Sequence, residues 1–170
     1  MSEDIKIYVS DLAAYNNGIH YGAWIDATQD LDNIQNQVSE LLACSPVADA
    51  EEYAIHDYEG YGSYTISQYT SLKEAHDVAV FIEEHGEVGA EVLNIYTDIE
   101  EAHTVIEENY AGRYSSVADF AAELTEESGD IPERLAPYID YARMAYDLEV
   151  GGDIFTIETG FEEVHIFWNR

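Results

Sequence analysis

The chain has 170 residues and sets 36 Asp and Glu against 6 Lys and Arg, a formal charge of -30 at neutral pH. Such a charge repels anionic membranes and nucleic acid, and selects a basic protein surface as partner. The single cysteine, Cys44, excludes an internal disulfide and a multi-cysteine zinc site. The start (MSEDIKIYV) is too acidic for a secretory leader, and no apolar run approaches the about 18 residues of a membrane span.

Hydrophobic residues make up 46% of the chain, enough to build a core. Ile5 to Ser10 alternates and is rich in β-branched and aromatic residues, which predicts a strand. Asp11 to Gly18 (DLAAYNNG) ends in a turn signal, Asn16-Asn17-Gly18. His20 to Ala27 reads as a second strand. Thr28 and Asp30 are candidate caps for a helix from Leu31 to Ala43, with Leu31, Ile34, Val38, Leu41 and Leu42 as its apolar stripe and Pro46 beyond its end. Glu52 to Tyr58 reads as a third strand, and Gly60 to Ser63 as a turn and a boundary.

Ser71-Leu-Lys-Glu74 has the spacing of a capping box and opens a helix to His85. Gly86 and Gly89 punctuate, and a short helix covers Ala90 to Tyr96. Asp98-Ile-Glu-Glu101 opens another helix, to Asn109. Tyr110 to Tyr114 (YAGRY) reads as a loop. Ser115 or Ser116 caps a helix from Val117 to Leu124, with Phe120 and Leu124 inward. The best-defined helix is expected from Ile131 to Leu148, with Pro132 in its first turn and Gly151-Gly152 at its end. Ile154 to Glu158 and Val164 to Trp168 close as a hairpin around Thr159 and Gly160. The expected fold class is α+β in three small domains: 1–62, a sheet plus a helix; 63–109, helical; and 110–170, helices plus a β-hairpin.

The charge is not spread as on an ordinary surface. Neither Ile7 to Leu72 nor Glu74 to Gly112 contains a Lys or Arg. The second stretch still carries Val78, Phe81, Ile82, Leu93, Ile95, Ile99, Val105 and Ile106 at near-helical spacing, so it reads as a folded scaffold holding carboxylates outward. Glu100/Glu101 and Glu107/Glu108 would lie two helical turns apart, about 10 Å. Like charges one turn apart cost a helix about 0.2–0.5 kcal/mol. The plain reading is a solvated face, but solvated faces mix signs, so a one-signed face reads as functional. Thirty charges at the density of DNA would cover about 50 Å of duplex.

Metal and catalytic patterns are weak. Glu100-x-x-His103 and Glu162-x-x-His165 have a di-iron spacing, but chance supplies such a match in so acidic a chain, and the second falls in a strand, where i and i+3 face opposite ways. Asp30-Leu-Asp32-Asn33 starts like a calcium loop, yet Gln35 stands where glycine is needed and no Glu closes it. There is no nucleophile elbow, phosphate loop or dinucleotide fingerprint. His56, beside Asp57, reads as a packed strand residue. Neither an enzyme nor a cofactor or metal is expected. In the expected 131–148 helix, Leu135, Tyr138, Ile139, Ala142 and Tyr146 share a face. Tyr141, Met144 and Leu148 fall off it, either as part of a broad core stripe or as a second, interface-forming face.

IYVSDLAAYNNG (Ile7 to Gly18) with Gly22-Ala-Trp24 after it, EEYAIHDYEG (Glu51 to Gly60), NYAGRYSSVADFAAEL (Asn109 to Leu124) and IPERLAPYIDYARMAYDLE (Ile131 to Glu149), followed by GDIF and HIFW, together resemble the ArdA antirestriction proteins. The resemblance covers nearly the whole chain, in order. It implies an elongated, three-domain, cytoplasmic homodimer encoded by a mobile genetic element, non-enzymatic and binding no nucleic acid and no membrane. It further implies surface carboxylates that imitate the phosphates of bent B-form DNA and fill the DNA groove of type I restriction-modification enzymes, in their specificity and methyltransferase core.

On that reading the mimic surface takes Asp30, Asp32, Glu51, Glu52, Glu74, Asp77, Glu83, Glu84, Glu87, Glu91, Glu100, Glu101, Glu107, Glu108, Glu123, Glu126 and Glu127. The family's antirestriction motif corresponds to Tyr138 to Asp147 and is expected near the dimer contact, with Tyr138, Tyr141, Met144 and Ala145. Arg143 departs from its acidic surroundings and is expected to pair with Asp140 or Asp147. The alternative of a different class is an acidic metal-binding or salt-adapted protein.

Overall fold

Lys6–Asp11 (β1), Gly22–Asp26 (β2) and Tyr53–Glu59 (β3) form an antiparallel sheet in the order β2-β1-β3. Alternation decides its faces: Ile7 and Val9 of the central strand are fully buried, while Lys6 and Tyr8 are half-exposed on the other side. The structure, a computed structural model, describes residues 4–169; the acidic start at Met1–Glu3, weighed above as a leader, lies outside the described residues.

Between β1 and β2 the expected turn contains a short helix, Leu12–Asn16 (α1). Asp11 caps it, its Oδ1 accepting from the Ala14 amide at 3.2 Å. Leu31–Ala43 (α2) has the bounds the sequence predicts and turns Ile34 and Val38 onto the sheet. Asp30 occupies the N-cap without a side-chain cap bond. Thr28 instead bonds Asp26, 2.7 Å away.

Leu72–Ile95 (α3) starts as the capping pattern predicts, with Ser71 Oγ accepting from the Glu74 amide at 3.0 Å. Gly86 breaks it in a left-handed conformation (φ 68°), which glycine adopts without steric cost. Buried Tyr61 donates to the Ala75 carbonyl (2.8 Å), and His76 Nδ1 lies 2.9 Å from the Ala27 carbonyl. These bonds tie α3 to the strands before it. The chain divides into two compact units, Met1–Ile99 and Glu100–Arg170.

The second unit begins in Ile99–Thr104 (α4), which passes into a wider π-turn over Val105–Asn109. Tyr110–Tyr114 (β4) follows, then Val117–Ser128 (α5), Tyr141–Val150 (α6), Ile154–Gly160 (β5) and Glu163–Trp168 (β6). The sheet order is β4-β6-β5, all antiparallel. Phe120, Ile154, Val164 and Ile166 form a buried cluster, closed by Tyr114, Val117, Leu148 and Trp168.

Several expectations are corrected here. YAGRY is a strand, not a loop: β6 is the middle strand, and β4 supplies the pairing that its second edge needs. The helix expected over 131–148 is only Tyr141–Val150. Pro137 has no N–H and would clash with the carbonyl four residues back, so the chain makes a 3-10 turn at Ala136–Tyr138. Asp140 then caps a fresh helix, accepting from the Arg143 amide at 3.0 Å. Leu124 is 37% exposed rather than inward. The last hairpin turns at Phe161 and Glu162, with Thr159 and Gly160 still in β5. Among the described residues, two antiparallel three-stranded sheets and six α-helices make the fold mixed α and β, as expected.

Candidate functional site

The acidic side chains sit where the elements turn them outward. All those assigned above to a mimic surface are exposed except Asp77 and Glu91, which are half-exposed. In the first unit, Asp32 and Glu74 lie in the first turns of α2 and α3, where the helix dipole favours a negative charge. Glu83, Glu84 and Glu87 flank the break at Gly86. In the second unit, Glu100 and Glu101 open α4, while Glu107 and Glu108 sit in the π-turn. The i→i+5 pattern of that turn takes the two pairs out of the regular helical phase expected for them.

Glu123, Glu126 and Glu127 occupy the second half of α5, and no basic residue stands in its last turn. Their field is felt next door. Burial first, then the hydrogen bond to Glu123 and the charges of Glu123 and Glu127, push the Tyr114 phenol up to about 12.

Three of the six Lys and Arg are engaged within their own units. Lys6 Nζ lies 3.3 Å from Glu59, Lys73 Nζ 2.7 Å from Asp77, and Arg143 Nε 3.2 Å from Asp147. Arg143 thus makes one of its expected pairs and receives its amide cap from the other candidate, Asp140. Exposed pairs of this kind add little stability, but each leaves a cation already facing a carboxylate.

The four residues assigned to a dimer contact are placed unequally. Tyr138 is 83% exposed, just before α6. Tyr141 and Met144 are half-buried and Ala145 is 7% exposed; with Leu148 they form the inward face of α6, packed on α5. Thr125 Oγ1 of α5, which donates to the Ala121 carbonyl, lies 3.2 Å from the Met144 sulfur. The outward face carries Ala142 and Tyr146. Of the two roles left open for Tyr141, Met144 and Leu148, the inward stripe is the one observed, and the face of Ala142 and Tyr146 turns to solvent.

The open face of the first sheet carries a cleft that the sequence does not signal. Between Tyr8 and Val9 the pairing with β3 slips by one residue, so Tyr8 faces Asp57 and Val9 faces Ile55, with His56 as the extra residue. Such a bulge re-aims side chains. Here Ala54 and Ile55 are buried while His56 and Asp57 are both exposed, which corrects the expectation of a packed His56. Tyr8, Ser10, Tyr15, Ile19, His20, Tyr21, His56 and Asp57 line a cleft of about 270 Å³. No sequence periodicity signals it, since alternation would have placed His56 and Asp57 on opposite faces.

His165, weighed as a metal ligand, has its ring nitrogens 2.8 Å from the Tyr110 hydroxyl and 3.0 Å from that of Thr159. Glu162 sits in the hairpin turn with φ 55°. Among the described residues, no helix is long and apolar enough to cross a membrane.

A family model described as antirestriction protein (ArdA) matches residues 7–163. No curated protein matches the chain at a significant level.

Proposed function

The chain belongs to the ArdA family of antirestriction proteins, and on that premise we propose that it acts without catalysis, as a mimic of B-form DNA. In this reading its carboxylates take the place of phosphates in the DNA groove of type I restriction-modification enzymes, at the specificity and methyltransferase core. The observation that carries it is the acidic surface: exposed carboxylates on α2 to α6, β2, β3 and β5, with Lys6, Lys73 and Arg143 engaged by neighbouring acids.

Lys and Arg lining a DNA groove gain affinity for DNA by releasing its condensed counterions. Carboxylates held on folded elements compete for the same residues and lose little ordering entropy on binding. Opposite fields speed the encounter. Phosphate contacts carry no base information, so one such inhibitor blocks enzymes that read different sequences. The same reading includes a homodimer. Tyr138 is its best-exposed anchor, because Tyr141, Met144 and Ala145 turn toward α5.

The test is a competition titration. A type I methyltransferase core is held on labelled DNA, and the protein is added at several salt concentrations. Stoichiometric displacement that weakens as salt rises supports the reading; DNA that stays bound at every salt concentration overturns it.

A further inference from the structure

We propose that the cleft on the open face of the first sheet captures one arginine side chain of the partner enzyme, as a fixed anchor inside an otherwise redundant charge array. This rests on the reading above, that the partner is a basic protein surface. The site is built from Tyr8, Tyr15, Tyr21, His56 and Asp57.

Size comes first. About 270 Å³ falls below the roughly 300–1,000 Å³ of pockets that enclose small molecules, and suits a single side chain. Chemistry comes second. The lining carries three phenol rings, one carboxylate and no Lys or Arg. A guanidinium is planar and weakly hydrated, stacks on aromatic faces and meets a carboxylate with two parallel N–H donors. An ammonium matches the carboxylate but not the stack.

The walls are held in place. Tyr21 donates its hydroxyl to the Leu41 carbonyl at 2.9 Å, which fixes its ring. Tyr15 meets His56 edge-on, with centroids 4.8 Å apart. Tyr8 lies beside Trp24 (5.4 Å) and over Gly22, where a Cβ would fall 2.8 Å from its ring. The bulge at His56 brings Asp57 to the same rim.

The same sheet face already holds a cation in this manner. Lys6 Nζ sits 5.2 Å from the Trp24 ring centre and 3.3 Å from Glu59. The cleft repeats that pairing of ring and acid, with its own carboxylate on Asp57. Lys6 is the basic neighbour along β1, and Glu59 faces its charge.

Two measurements test the proposal. In the first, acetyl-arginine-amide is titrated into the full chain and followed by NMR. Saturable shifts on the rings of Tyr8, Tyr15 and Tyr21 are expected, stronger than with acetyl-lysine-amide and weakened at least about fivefold by Asp57→Asn or Tyr15→Leu. Asp57→Asn keeps the oxygen that accepts from the Tyr58 amide, and Tyr15→Leu keeps an apolar wall. Absent shifts, or shifts indifferent to both substitutions, overturn the cleft.

In the second, Asp57→Asn is compared with Glu126→Gln in the DNA-displacement titration. Asp57→Asn is expected to weaken displacement about tenfold and Glu126→Gln less than about threefold. If the unaltered protein displaces DNA and the two variants behave alike, the arginine anchor fails while the mimic reading stands. If the unaltered protein displaces no DNA, the mimic reading fails and the arginine titration alone decides the cleft.

Discussion

Tyr110 and His165 meet across β4 and β6, the phenol oxygen 2.8 Å from Nδ1 of the imidazole. The other ring nitrogen lies 3.0 Å from Thr159 Oγ1, and Thr159 donates its proton to Glu163 Oε2 at 3.2 Å. That direction assigns the tautomer. Nε2–H donates to Thr159, and Tyr110 O–H donates to bare Nδ1. The chain of bonds suits a neutral imidazole. Burial first, then the Arg113 guanidinium, holds the His165 pKa below its ordinary value, with Glu163 opposing them.

The sign follows from that depression. A folded-state pKa below the unfolded one means that His165 contributes stability above about pH 6.5 and loses it as pH falls through the folded value. Against His165→Gln, the unaltered protein should therefore lose relative stability from pH 8 to pH 5, read as the difference between their urea midpoints. Comparing the two proteins cancels the opposite trend, in which protonated carboxylates relieve repulsion. A gap that stays constant with pH would remove the imidazole from the account.

Salt should act oppositely on folding and on partner binding. With a charge of -30, self-repulsion opposes the folded state, and the Debye length shortens from about 30 Å at 0.01 M to about 10 Å at 0.1 M. The urea midpoint should rise over that range with the protein folded at both ends, while displacement of DNA weakens. Unfolding at 0.01 M would instead favour a salt-adapted protein whose charge serves hydration.

Tyr61 tests the first unit's interior. Its ring is buried, and burial, then Asp26, raises its phenol pKa, so the proton stays on the oxygen that bonds the Ala75 carbonyl at 2.8 Å. Tyr61→Phe keeps the ring and removes one of two bonds to that carbonyl, which lies inside α3 and also accepts within the helix. A loss of about 0.5–1.5 kcal/mol is expected, measured by urea unfolding, and a loss near zero would mean that water replaces the hydroxyl.

What the sequence revealed depended on how local the signal was. Ser71 and Ser116 announce their helices because a hydroxyl three residues before a free amide is a local event. The bounds of α2 follow from its stripe and its flanking breakers for the same reason. YAGRY carries no strand signal of its own, since its order comes from Val164 to Phe167 across the sheet. Pro137 interrupts an apolar pattern that by itself predicts one helix, because its missing N–H forces the 3-10 turn at Ala136–Tyr138. The acidic character of the surface was legible because exposure follows from charge. The cleft was not, because it depends on a one-residue slip between β1 and β3.

The end of α5 offers the sharpest separation of function from folding. Glu126 and Glu127 are exposed in its last turn, where the negative end of the helix dipole opposes them and no basic residue compensates. Glu123 differs, because it accepts the Tyr114 hydroxyl. Neutralising the first two as Glu126→Gln/Glu127→Gln should raise stability by about 0.3–1 kcal/mol per residue. Reversing them as Glu126→Lys/Glu127→Lys should stabilise α5 further and, in the mimic reading, weaken displacement of DNA far more than either neutral change. Urea midpoints and competition constants on the same variants give both readings. Stability and binding that move in opposite directions would mark these carboxylates as kept for the partner. If they fall together, the residues serve the fold, and the functional part of the charge lies on other elements.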